Sequence, residues 1–220
     1  MAGPAADAES TAADFFPETH TIDNLRAAAA GCKACPLWTM GTQTVFGEGP
    51  ESARVVFVGE QPGDREDLEG RPFVGPAGRL LDRALEDAGI DRDDVYVTNV
   101  VKHFKWEARG KRRIHSKPNA REIRACRPWL DEEIAQVGPE ALVLLGATAA
   151  QALLGRQFRV SQQRGQFVES ALAPLVMATY HPSSLLRAPD DETRQAGIAE
   201  FTADLRRLHD ALRGGGGKQG

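Results

Sequence analysis

The sequence predicts an α/β fold, three-layer α/β/α around a mainly parallel central sheet. Two observations predict it. Short apolar, β-branched runs, "SARVVFVGE", "DDVYVTNVV", "EALVLLG" and "PLVMATYHP", read as strands covered on both faces. Between them lie segments with apolar residues at helical spacing, so strands and helices alternate along the chain. In such folds ligands bind beyond the carboxyl ends of the strands. The segments following three of these strands, "GEQPGD", "TNVVKHFK" and "TYHPSSLL", are the richest in polar chemistry.

The elements follow in order. Residues 1–20 read as a disordered, Ala-rich leader, 21–212 as one domain and 213–220 as a flexible tail. "TIDNLRAAAAG" is a short helix capped by Thr21 or Asp23 and closed by Gly31. After the first strand, residues 61–78 are dense in Gly, Pro and Asp and read as a long loop. "GRLLDRALEDAGI" is a helix ending at Gly89. After the second strand, residues 102–118 form a polar stretch. "NAREIRACRPWLDEEIAQV" is a helix with Asn119 and Glu122 at capping-box spacing. "ATAAQALLG" is a helix closed by Gly155, "GQFVES" a further strand, and "DDETRQAGIAEFTADLRRLHDAL" a final amphipathic helix. No internal repeat and no second domain is evident.

Composition narrows the function. The 220 residues carry a net charge of -4, so any nucleic-acid contact rests on a local patch and not on the whole-molecule field. No apolar run reaches the roughly 18 residues of a membrane span, and the start lacks signal-peptide character. The expectation is a soluble cytoplasmic monomer. The three cysteines, Cys32, Cys35 and Cys126, do not make a disulfide framework. Cys32 and Cys35 have metal-ligand spacing, and His103 is a candidate fourth ligand beside Cys126. Zinc and iron–sulfur ligation both suit this set, and two buried thiols with a loop histidine is the plainer alternative.

Four further clusters carry candidate chemistry. "GEQPGDRED" sets Glu60, Gln61 and Asp64 at a strand end, where Gly and Pro let the backbone turn toward a ligand; a solvated acidic loop is the alternative. Phe73 is either a stacking plate for a planar base or a loop anchor. Asn99, inside an apolar strand, reads either a ligand edge or a neighbouring loop. "HPSSLLR" offers His181, Ser183, Ser184 and Arg187 to a phosphate, with Leu185 and Leu186 as wedges into a base stack; a helix start with leucines facing the core is the alternative. "GKRRIHSKP" joins Lys111, Arg112 and Arg113 to His115, which is another phosphate contact or something the basic run positions.

Taken together, "GEQPGDREDLEGRPFVGPAGRLL", "YVTNVVKHFK", "LVLLGATAAQALLG" and "HPSSLLR" resemble the iron–sulfur, family 4 branch of the uracil-DNA glycosylase superfamily over about residues 22–210. His103 stands where that family places a third cysteine, and "RGKRRIHSKP" is an insertion. Both features are similar to the UdgX group of uracil-DNA binding proteins, whose loop histidine becomes joined to DNA after uracil is cleaved. The resemblance implies a uracil-DNA glycosylase-like fold and a 4Fe–4S cluster on Cys32, Cys35, His103 and Cys126. It implies a uracil pocket using Gln61, Asp64, stacking Phe73, edge-reading Asn99 and His181 at the uracil O2, with Glu60 beside the loop histidine. The partner is uracil-containing DNA, expected single-stranded, and free uracil is the product.

The chemistry of such a site is definite. The C1′–N1 bond breaks toward an oxocarbenium-like sugar and a uracil anion. An imidazole at C1′ would exclude the water that normally attacks there. The loop cations favour a neutral His115, and Glu60 would accept its proton. The outcome is one turnover and a covalent trap. A conventional multiple-turnover glycosylase and a non-catalytic DNA-binding module with a structural metal are the alternatives.

Overall fold

The computed structural model describes residues 10–215. Residues 1–9 of the expected leader and 216–220 of the expected tail lie outside the described residues, and 213–215 continue the final helix where a tail was expected. The rest of the expected leader is structured. Ala12–Phe15 form a 3-10 turn, Ala12 is buried, and Phe16 packs on Trp129 with ring centroids 4.9 Å apart. The apolar pair Phe15–Phe16 gives this segment a reason to fold that its alanines conceal.

Thr21 caps α1 (Ile22–Ala29) by accepting from the Asn24 N–H. β1 (Val55–Gly59) follows, then α2 (Asp64–Glu69), a short helix inside the segment expected to be all loop. α3 (Pro76–Ala88) ends at left-handed Gly89. β2 (Val95–Asn99) leads to a second correction. The polar stretch contains a hairpin, β3 (Trp106–Arg109) and β4 (Arg112–His115), turning at left-handed Gly110. α4 (Ala120–Val137) starts with the expected capping box: Glu122 N–H donates to Asn119 and Asn119 N–H to Glu122. β5 (Ala141–Leu145), α5 (Gly146–Leu154), α6 (Val160–Gln163), β6 (Phe167–Val168), β7 (Leu175–Thr179), α7 (Pro182–Leu186) and α8 (Asp191–Gly215) complete the chain.

The main sheet has order β2-β1-β5-β7-β6, parallel except for β6. Side chains alternate across it, as strand geometry requires. Val56, Val58, Leu142 and Leu144 face α1, α4 and α5. Val55, Phe57, Ala141 and Val143 face α3, α7 and α8. These are the three expected layers. Glu60, Asn99, Gly146 and His181 therefore emerge together at the carboxyl ends of β1, β2, β5 and β7. Among the described residues no helix is long and apolar enough to cross a membrane.

Candidate functional site

The strand ends open into a cavity of about 880 Å³. Glu60, Gln61, Asp64, Phe73, Asn99, His115, Thr148, His181, Ser183, Ser184 and Arg187 all line it. Phe73 stands on left-handed backbone, φ 56°, and lies nearly parallel to the His181 ring, centroids 6.2 Å apart. Gly59 makes room for this: a Cβ there would lie 2.4 Å from Asn99 Oδ1 and 2.9 Å from Phe73 Cζ. Buried Lys102, paired with Glu133, donates to the Asn99 carbonyl at 2.8 Å and steadies that strand end.

The hairpin carries His115 to the cavity from the solvent side. His115 Nε2 lies 3.0 Å from Glu60 Oε1, the histidine half exposed and the glutamate largely covered. Burial pushes the Glu60 carboxyl up. Hydrogen bonds from His115 and Thr148 and the charges of His115 and His181 outweigh it, and hold Glu60 below the usual carboxylate range. Three contacts pin the hairpin. Gln61 Nε2 donates to the Lys105 and Ser116 carbonyls at 3.0 and 3.2 Å, clamping both strands at their root. Arg113 pairs with Asp64 and with buried Asp67. Lys105 pairs with the α4 capping residue Glu122 at 2.9 Å.

His181 caps α7. Its Nδ1 accepts from the Ser183 N–H at 3.1 Å and lies 2.9 Å from the Ser183 hydroxyl. Burial lowers this ring to about 4, so it is neutral near pH 7. With Nδ1 accepting, the neutral ring carries its proton on Nε2 and is a donor.

A second, small pocket lies on the α4 side of the sheet. Cys32, Cys35, His103 and Cys126 line it with Thr44, Lys102 and Trp129. The Thr44 hydroxyl donates to the Ala29 carbonyl, so its oxygen accepts from His103 Nε2 at 3.0 Å. That leaves the lone pair on Nδ1.

A model of the uracil DNA glycosylase superfamily matches residues 46–206. The chain belongs to the uracil-DNA glycosylase superfamily. It is 41% identical to a type-4 uracil-DNA glycosylase of Thermotoga maritima over 171 residues, covering 77% of this chain and 85% of that one. It is 36% identical to the type-4 enzyme of Archaeoglobus fulgidus over 195 residues, 86% and 92% of the two chains. A type-5 uracil-DNA glycosylase of Thermus thermophilus is 32% identical over 169 residues, 67% and 71% of the two chains.

The cysteine pocket of this superfamily member fits the 4Fe–4S cluster that the resemblance implies. Three thiols and a histidine with a free lone pair make four donors. Among the described residues Trp129 Nε1 is the one buried side-chain polar atom without a partner, and Trp129 lines this pocket. A cluster sulfur would accept that N–H.

Several expected binding residues stand elsewhere. Leu185 is buried against α3 and α8, where a wedge was expected; Leu186 is the exposed leucine on the cavity. Helical geometry decides which of two adjacent leucines faces in, and the pair "LL" does not show it. The Arg113 guanidinium is taken up by Asp64 and Asp67. Lys111 and Arg112 are exposed near the hairpin tip and do not line the cavity. The Ser184 hydroxyl donates to the His181 carbonyl, and Ser183 faces His181, so both serine hydroxyls already have partners. Thr148, Lys102 and Lys105 carried no sequence signal. Each takes its role from a partner 88, 31 or 17 positions away.

Proposed function

We propose that this superfamily member excises uracil from DNA and is left joined to the deoxyribose C1′ through His115, as in the UdgX group. The observation that carries this reading is the 3.0 Å approach of His115 Nε2 to Glu60 Oε1 on the wall of the cavity. The flipped uracil stacks on Phe73, and Asn99 meets its edge. As the C1′–N1 bond breaks, its electron pair leaves with uracil, and the His181 Nε2–H donates to the developing anion. Glu60 accepts the Nε2 proton of His115 as Nε2 bonds to C1′. That proton passes on to uracil, so the products are free uracil and a His–C1′ adduct. Cys32, Cys35, His103 and Cys126 would hold the 4Fe–4S cluster, which ties the amino-terminal segment to β2 and α4. The loop cations Lys111 and Arg112 track the phosphates.

The test is incubation with uracil-containing single-stranded DNA followed by denaturing electrophoresis. An SDS-stable shifted band is expected, and its absence sinks the covalent reading. A conventional glycosylase is the second reading, favoured by the 41% identity to a type-4 enzyme. It requires abasic product in excess over protein.

A further inference from the structure

We infer that Thr148 is a positioning residue for excision, holding the Glu60 carboxylate in the orientation that presents Oε1 to His115. This rests on the reading of Glu60 and His115 given above. A carboxylate at a strand end can turn about its last side-chain bond, and only one setting of its plane serves the imidazole. The two Glu60 oxygens have different partners. Oε1 faces His115 and Oε2 accepts from the Thr148 hydroxyl. Fixing Oε2 fixes Oε1.

Thr148 is the third residue of α5, in the run "GATAAQALL", and is 6% exposed. Alanine would be the better helix former there, and a buried hydroxyl needs a partner. Its partner is Glu60, on another element. The first turn of α5 also presents the positive end of the helix dipole, which suits a carboxylate. The entry of that turn is set by Gly146 at φ 84°, where a Cβ would lie 2.9 Å from the His181 Cβ. One helical turn thus braces the carboxylate on one side and the leaving-group donor on the other. The charged and titratable groups facing Glu60 are His115 from β4 and His181 ahead of α7, with Lys117 also on the cavity wall. Thr148 is the uncharged donor among them, so its removal changes Glu60 without adding or deleting a charge.

The test compares wild type with Thr148→Val and Thr148→Ser on uracil-containing single-stranded DNA across pH. Thr148→Val should slow covalent capture by about tenfold or more, the scale of one hydrogen bond to a charged group. It should also move the acid limb of the profile to higher pH. Thr148→Ser should restore both. A Val variant with the wild-type rate and limb, or a Ser variant as slow as Val, overturns the proposal. Thr148→Ala gives the same readout where Val does not fold. If wild type forms no adduct, the covalent reading fails separately. Glu60 titration by carboxyl 13C NMR then decides Thr148: a higher midpoint in the Val variant supports its role, and an unchanged one overturns it.

Discussion

Arg113 Nη1 reaches the buried carboxylate of Asp67 at 2.6 Å, while its Nε lies 2.6 Å from Asp64. One guanidinium thus joins β4 to both ends of the first turn of α2, and its Cζ lies 5.4 and 5.7 Å from the Phe104 and Trp106 ring centroids. Arg113→Ala leaves Asp67 buried with Thr42 as its remaining side-chain partner. The expected cost is about 1–3 kcal/mol in urea unfolding, with slower covalent capture as the hairpin loosens. Arg113→Lys should recover little, because a lysine cannot bridge two carboxylates in a plane.

His181 sets an acid limit. Burial, with help from Arg187 and His115, lowers its ring from 6.5 to about 4, against the opposing charge of Glu60. A depressed histidine contributes stability that is complete above its unfolded value and lost as pH falls through the folded one. Stability should therefore decline from about pH 6 toward pH 4. Nitrogen NMR at neutral pH should find the His181 proton on Nε2. A proton on Nδ1 would remove the donor assigned to uracil.

His115→Ser should open C1′ to water. The expected product is abasic DNA with more than one turnover per protein and no SDS-stable band. A variant that neither cross-links nor cleaves would show that the histidine does more than displace water.

The adjacent leucines of α7 should separate cleanly. Leu185→Ala removes a side chain buried against α3 and α8, and should cost about 2–4 kcal/mol. Leu186→Ala should change stability by less than about 0.5 kcal/mol and weaken DNA binding instead. Equal effects on folding would contradict the assignment.

The strands were legible because β-branched runs such as Val55–Val58 are buried on both faces and need no alternation. The helix caps were legible because Asn119 and Glu122 act on their own neighbours. The hairpin was hidden: its strands are four residues long, mostly exposed and charged, and held from outside by Gln61, Asp64 and Asp67. α2 was hidden because its first turn, Asp64 to Asp67, sits among Gly and Pro that read as loop. Within the site, Glu60, Gln61, Asp64, Phe73, Asn99, His115 and His181 line the cavity while Lys111, Arg112, Arg113 and Leu185 do not, and the threonine and lysines that brace it depend on contacts that only folding brings together.

Phe73 has a further consequence for engineering. Its left-handed backbone, φ 56°, costs about 1–2 kcal/mol that glycine would not incur. The ring also packs partly against the α3, α7 and α8 side of the core, which offsets that cost, so a ranking by melting temperature alone is blind to whether the plate on which the base is proposed to rest is kept. A thermostability screen on this scaffold therefore needs a uracil-capture filter at every round.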